Sequence, residues 1–393
     1  MTWSASSNCS AFPADVADPT GRPIKVLVVD DSVVVRRLVA RVLEEDPSVE
    51  VVGAAANGRI ALAKIAQLQP DVVTLDIEMP ELDGLATLAE LRPRWPRLPV
   101  IMFSTLTERG AEATLEALSL GASDYVTKPT GLHNPAEAMA AVKAELVPRI
   151  KALHGRRLLS RMPHTPAPTG GATPAPSPAA PTVKPPARPA GARIDVVAIG
   201  VSTGGPNALA DLLPALPGTL PVPIVIVQHM PPVFTRMLAN RLDGRCALRV
   251  IEAEGGELLR PGRVHIAAGG QHLTLARQGT SVVTVATDDP PENSCRPAVD
   301  VLFRSVVALY GPSVLSVVLT GMGQDGLRGA EAIRVAGGQV LAQDEASSVV
   351  WGMPGFVVRA GLADAVLPLD ALAAEITRRV AVGRSIPAMG RAG

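Results

Sequence analysis

Two groups of residues in this 393-residue chain could do chemistry, and they suit different reactions. Ser202 in GVSTGGP, His229 in VQHMP and Asp325 in TGMGQDG supply a hydroxyl, an imidazole and a carboxylate, each just beyond a short apolar run. A serine hydroxyl is a poor nucleophile until a base takes its proton, and a neutral imidazole held in the correct tautomer by a carboxylate does that. Such a trio could attack an acyl carbon. The second group is Asp30 and Asp31 in VVDDS, Asp76 in VVTLD, Ser104 in IMFS and Lys128 in YVTK. Clustered carboxylates repel one another unless a cation lies among them, and hard oxygen ligands suit Mg²⁺. Asp76 could then accept a phosphoryl group, with Lys128 adding positive charge and the Ser104 hydroxyl meeting a phosphoryl oxygen.

Taken singly, each of these residues has a plainer use. An acidic residue at a strand end commonly caps the next helix, and a serine in a glycine-rich turn can be an N-cap or part of a phosphate cradle. A single histidine at a strand end is often structural; by position alone His265 and His272 compete with His229, while His133, His154 and His164 fall in or near a linker. What distinguishes these groups is their placement on successive elements.

From residue 25 the pattern alternates short aliphatic runs with amphipathic stretches: KVLVVD and a helix from Ser32 to Glu45, VEVVGAA and a helix over 58–68, DVVTLD and a helix over 84–92, LPVIMFS and 107–119, SDYVT and 134–153. Continuous apolar strands alternating with helices predict a five-stranded parallel, doubly wound sheet. Residues 161–190 then hold ten prolines and no aromatic residue, so burial there cannot repay the entropy of ordering. The alternation resumes at Ile194 with DVVAIG and a helix from Gly205, PIVIVQH and a helix over 233–242, ALRVIEA, and RVHIAAG. A hairpin of HLTLAR with SVVTVAT, a helix over 298–310, the strand SVLSVVLT and a helix from Gly326 follow. This predicts a second α/β domain, mainly parallel with an antiparallel hairpin. Sites on such sheets lie beyond the carboxyl ends of the strands, where Ser202, His229 and Asp325 all fall. The expected division is a leader at 1–23, a first domain at 24–153, a proline-rich linker at 154–193, a second domain at 194–380 and a tail at 381–393.

The first domain resembles the response-regulator receiver family through VDDS at 29–32, LDIEMPELDG at 75–84, FST at 103–105 and TKP at 127–129. That resemblance implies that Asp76 accepts a phosphoryl group from a chemotaxis sensor histidine kinase. It also implies that Mg²⁺ is held by Asp31, Asp76 and the main-chain carbonyl of Glu78, and that Tyr125 stands at a switching position. The second domain resembles the chemotaxis receptor methylesterase family through GVSTGGP at 200–206, VQHMPPVFTRMLANRL at 227–242, VHIAAGGQHL at 264–273, CRPAVDVLFRS at 295–305 and LTGMGQDG at 319–326. The implied activity is hydrolysis of γ-glutamyl methyl esters on methyl-accepting chemotaxis receptors, with deamidation of receptor glutamines, by a Ser202–His229–Asp325 triad that needs no cofactor. Within those segments His272 is expected to be structural and Arg296 to line the substrate groove.

Other functions are open to the same residues. Gly200, Ser202 and Gly204 satisfy G-x-S-x-G, but an α/β-hydrolase of small esters places its acid before its histidine, whereas the order here is Ser202, His229, Asp325. A non-enzymatic, nucleotide-binding regulator would use the glycine turn as a phosphate cradle, yet GVSTGGP lacks both the Lys-Ser/Thr of a P-loop and full G-x-G-x-x-G spacing. Basic and acidic residues balance at 37 each, which gives no electrostatic ground for nucleic-acid or anionic-membrane capture. The N-terminus lacks the basic flank and apolar core of a signal peptide, and no apolar run approaches the roughly 20 residues that span a bilayer. A cytoplasmic location is expected. Cys9, Cys246 and Cys295 are scattered and expected to be reduced and structural.

Overall fold

The computed structural model describes residues 22–128, 134–159 and 193–384. They divide into two compact units, one on each side of Val183/Lys184. The expected linker prolines at 161–190, together with Cys9, Pro129, His133 and His164, lie outside the described residues.

In the first unit β1 (Ile24–Val29), α1 (Val33–Glu44), β2 (Val49–Ala55), α2 (Gly58–Leu68), β3 (Val72–Asp76), α3 (Gly84–Arg94), β4 (Val100–Ser104), α4 (Glu108–Ser119), β5 (Asp124–Thr127) and α5 (Pro135–Leu159) alternate as expected. The sheet order is β2-β1-β3-β4-β5, and every pairing is parallel. β3 and β4 are buried along their whole length, which is why they read as unbroken aliphatic runs. Each of the first four helices starts at a capping side chain. Ser32, Asn57, Asp83 and Thr107 accept hydrogen bonds from the main-chain N–H of Val35, Ile60, Ala86 and Gly110, each cap being worth about 1 kcal/mol. In this strand order the chain leaves β1 in opposite directions, so a crevice opens between the carboxyl ends of β1 and β3. Asp30 and Asp76 stand on either side of it.

The last helix corrects one expectation. α5 does not end at 153 but runs to Leu159, and His154, set aside as linker, is 3% exposed. The extra turns are held by Arg157, whose guanidinium donates to the carbonyls of Pro70 (3.2 Å) and Asp71 (2.8 Å). A contact 87 positions distant in sequence carries no local periodic signal.

The second unit comprises β6 (Val196–Val201), α6 (Gly205–Leu212), β7 (Ile224–Gln228), α7 (Phe234–Asp243), β8 (Arg249–Ala253), β9 (Arg263–Ala267), β10 (His272–Gln278), β11 (Ser281–Thr287), α8 (Val299–Tyr310), β12 (Val314–Val318), α9 (Leu327–Val335), β13 (Gln339–Gln343), α10 (Met353–Arg359), β14 (Ala365–Leu367) and α11 (Leu369–Ala381). Seven strands form a parallel sheet in the order β14-β13-β12-β6-β7-β9-β8, while β10 and β11 pair antiparallel as a separate two-stranded sheet. β6, β7 and β12 are buried throughout and adjacent at the centre. α8 packs closely on β6: a Cβ on Gly200 would lie 2.3 Å from a methyl of Val299, so only glycine lets the helix start there. Phe303, fully buried on the same helix, anchors it in the core, where truncation to alanine costs about 3–5 kcal/mol.

Candidate functional site

Three neighbouring strands deliver the expected trio. Ser202 follows β6, His229 follows β7 and Asp325 lies in the loop after β12. The main chain stitches these ends together: Ser202 N donates to Thr320 O (3.0 Å), and His229 N donates to Val201 O (3.1 Å). The turn after Ser202 closes through Gly205 N to Ser202 O (2.8 Å), with Gly204 at φ 77°, a left-handed conformation that glycine adopts without strain. Across the site a Cβ on Gly321 would lie 2.8 Å from Ser202 Cβ, so the loop after β12 can pass the serine only without a side chain.

His229 Nε2 lies 2.8 Å from Asp325 Oδ2, and the ring is 12% exposed. Asp325 is itself fully committed. Its Oδ2 accepts from Val299 N (2.6 Å), and its Oδ1 accepts from Asp300 N (3.0 Å), Gly326 N (3.0 Å) and Asn293 Nδ2 (2.9 Å). Val299 and Asp300 open α8, so the carboxylate sits at the positive end of a helix. Burial favours the neutral acid, but His229 and the two α8 N–H groups outweigh it and hold the Asp325 carboxyl below its usual range. Burial likewise disfavours an imidazolium at His229, yet the Cys295 sulfur and Asp325 together hold the ring above its ordinary 6.5. Nearby Asp300 is pushed up to about 6 by burial and by the charge on Asp325.

Residues beyond the expected trio also build this site. Gln228, 1% exposed at the end of β7, donates from Nε2 to the carbonyls of both Ser202 (3.0 Å) and His229 (3.3 Å), tying the two turns together. Asn293 donates its two amide hydrogens to Asp325 and Asp300. Its left-handed φ of 51° is one that asparagine tolerates. The Cys295 sulfur lies 3.7 Å from His229 Nδ1, which places it in the site and departs from its expected purely structural part. Gln228 carried a signal in being polar at the end of an apolar strand; Asn293 and Cys295 reach the site through a loop whose path has no period.

The rival histidines stand elsewhere. His272 accepts from Ala298 N at Nδ1 (3.1 Å) and donates to Pro290 O at Nε2 (3.1 Å), bracing the loop before α8. His265 is fully buried in β9, and burial lowers its pKa to about 4. Arg296 donates to the carbonyls of Asp288 (3.0 Å) and Asp289 (3.2 Å).

In the first unit Asp31, Asp76, Glu78, Ser104 and Lys128 line one cavity of about 170 Å³. Lys128 Nζ approaches Asp30 Oδ2 at 3.0 Å and Asp76 Oδ2 at 2.8 Å. Both are charge-assisted contacts, in which the Lys128 ammonium offsets two buried carboxylate oxygens. The other oxygens are satisfied by Ser32 N on Asp30 and Ile77 N on Asp76, each at 2.8 Å. Burial, reinforced by the charge on Asp30 and opposed by Lys128, pushes Asp76 up to about 6. Three carboxylates with ligand oxygens within 4.8 Å of one another, beside the single ammonium of Lys128, fit a hard divalent cation. Ser104 lines the cavity, but its hydroxyl donates to Gly110 O (3.1 Å) and accepts from Thr114 Oγ1 (2.7 Å), so it is engaged with α4. Tyr125 is buried on β5.

Comparison with known proteins joins these two sites to one family. The CheB methylesterase family model matches residues 197–376, and the response regulator receiver domain model matches 26–142. A protein-glutamate methylesterase/protein-glutamine glutaminase of Trichodesmium erythraeum is 52% identical over 356 residues, covering 91% of this chain and 99% of its own. The chain belongs to the CheB methylesterase family. A Nocardioides member with the same name is 54% identical, covering 94% of this chain and 98% of its own. The solved catalytic domain of Thermotoga maritima CheB methylesterase is 44% identical, with a TM-score of 0.46, and covers 47% of this chain and 98% of that one. In this CheB-family chain the receiver match covers the acidic cavity, and the methylesterase match covers Ser202, His229 and Asp325. Among the described residues no helix is long and apolar enough to cross a membrane.

Proposed function

We propose that this chain is a cytoplasmic, receiver-controlled serine esterase that hydrolyses γ-glutamyl methyl esters of methyl-accepting chemotaxis receptors and deamidates receptor glutamines. The observation that carries the reading is the anchored His229–Asp325 pair, with His229 following the strand next to that of Ser202.

With Nε2–H donated to Asp325, the lone pair of His229 is on Nδ1. It takes the Ser202 proton as Oγ bonds to the ester carbonyl carbon. The developing oxyanion lies near the N-terminal end of α6, where the helix dipole favours negative charge. His229 returns the proton to the leaving methoxide, so methanol departs and a γ-glutamyl ester on Ser202 remains. Water, deprotonated by the same ring, then releases the glutamate side chain. For a glutamine substrate the identical steps release ammonia. Asp325 remains ionised throughout and stabilises the imidazolium.

In the receiver, Asp76 takes a phosphoryl group from a chemotaxis sensor histidine kinase. Asp31, Asp76 and the main-chain carbonyl of Glu78 would hold Mg²⁺, with Asp30 completing the acidic pocket. When bound, that ion supplies positive charge against the phosphoryl oxygens. Lys128 adds a second cation. For the Ser104 hydroxyl to reach a phosphoryl oxygen it must leave Gly110 O and Thr114, a change that would be felt directly by α4. Phosphorylation of Asp76 raises the rate of the esterase. Release of methanol and ammonia from methylated receptor, with and without acetyl phosphate and Mg²⁺, tests the reading. Stimulated release of both supports it, and release of neither refutes it.

A further inference from the structure

Cys295 is placed where the reaction does not need it. Its sulfur is 3.7 Å from His229 Nδ1, and both side chains are partly exposed. A zinc ion bound about 2.3 Å from a thiolate and about 2.0–2.1 Å from an imidazole nitrogen at a tetrahedral angle holds the two ligand atoms about 3.6 Å apart. The pair therefore already has the separation that a shared ion requires. Behind the ring, Asp325 accepts the Nε2 proton at 2.8 Å and is fixed by three main-chain donors and Asn293. A carboxylate on the far nitrogen is the arrangement that fixes the tautomer of a metal-ligating histidine and raises its basicity. His229, Cys295 and Asp325 bring their ligand atoms within 4.8 Å of one another.

We propose that Cys295 and His229 form a capture site for zinc or another thiophilic divalent ion, and that occupying it switches the esterase off. On binding, the Cys295 thiol proton and, where the ring is an imidazolium, the Nδ1 proton are released to solvent, and the Nδ1 lone pair is donated to the ion, leaving further positions for water. The inhibition, though not the binding, rests on His229 being the base for Ser202, since that same lone pair must accept the serine proton. Sulfur and imidazole select a borderline-soft ion, whereas the receiver cavity presents oxygen alone. Zinc and Mg²⁺ thus address different halves of the chain. Cys246, whose charged neighbours are Asp243 and Arg245, serves as the internal control.

The test uses full-length, chelator-treated protein with Co²⁺ as a spectroscopic probe and Zn²⁺ as the inhibitor. Wild type and Cys246→Ser should show a near-ultraviolet thiolate-to-cobalt band that Zn²⁺ removes, and Cys295→Ser should lack it. Asp325→Asn should retain the band with metal affinity weakened about 10–100-fold. Methanol release by wild type should fall as Zn²⁺ is added and recover with EDTA; that of Cys295→Ser, relative to its own metal-free rate, should resist. A band that persists in Cys295→Ser, or is missing from a wild type that still releases methanol, overturns the site and leaves the esterase reading intact. A band in wild type with undiminished methanol release overturns the inhibition and removes the base role from His229.

Discussion

Nε2 of His229 and Oδ2 of Asp325 lie 2.8 Å apart although 96 positions separate them in the chain. The contact exists because β12 and β7 flank β6 in the sheet, so the loops after both strands converge over the turn that carries Ser202. Four donors, two of them the opening N–H groups of α8, hold the carboxylate in place before any substrate arrives. The ring is oriented by a rigid acid.

Replacing Asp325 by Asn keeps the shape but removes the charge and offers His229 an N–H instead of an acceptor. The ring should turn over to the wrong tautomer, lowering methanol release about 10³–10⁴-fold. Asn293→Ala, which loosens the acid without removing it, should lower release about tenfold, the scale of an outer-partner loss. Steady-state rates beside circular-dichroism melts check both, with each protein remaining folded at the assay temperature.

The pH profile follows from the same pair. Burial works against a charged ring, but Cys295 and Asp325 outweigh it, so His229 keeps its proton above 6.5. The base form therefore appears only as pH rises past that raised value, and kcat/KM should climb through a midpoint above 6.5. Cys295→Ser removes one of the two stabilising groups and should move the midpoint down. A profile identical to wild type would show that the sulfur does not touch the ring's ionisation.

Asp76 makes a stability prediction of the opposite kind to an ordinary salt-bridged acid. Its pKa is raised from 3.8 to about 6, so the folded state holds the proton more tightly than the unfolded chain. The carboxylate destabilises the fold above about 6, and that penalty fades as pH falls toward 3.8. In EDTA, Asp76→Asn should be more stable than wild type at neutral pH by on the order of 1–3 kcal/mol. The difference should shrink at pH 4, and denaturant melts at the two pH values measure it. The same substitution should abolish stimulation by acetyl phosphate.

Much of this was legible in the sequence because parallel strands buried on both faces read as unbroken aliphatic runs. KVLVV, DVVTL, VVAIG and IVIVQ each fall in a strand, and the chemistry-bearing residue ends that strand or follows it. Caps such as Ser32 and Thr107 marked helix starts to within a residue. What stayed hidden depends on contacts between distant segments. The last turns of α5 are held by Arg157 on the α2–β3 connection, and Asn293 and Cys295 enter the site on a loop whose course only the fold decides. Likewise β13, α10, β14 and α11 complete one edge of the unit without a motif of their own.

Removing residues 1–190 should raise basal methanol release if the receiver restrains the esterase. The remaining fragment should ignore acetyl phosphate, while the full chain responds to it. Equal basal rates for fragment and full chain, with no response to the donor, would dispense with receiver control and leave the hydrolytic reading standing.

Methanol release from methylated receptor by the Ser202→Ala protein, measured beside wild type with acetyl phosphate and Mg²⁺ present, tests the nucleophile most directly. Loss of a triad member removes the acyl-enzyme route and should lower release by at least about 10³-fold, with an unchanged melt. A folded Ser202→Ala protein that releases methanol at the wild-type rate would contradict the assignment of this chain as an esterase acting through Ser202.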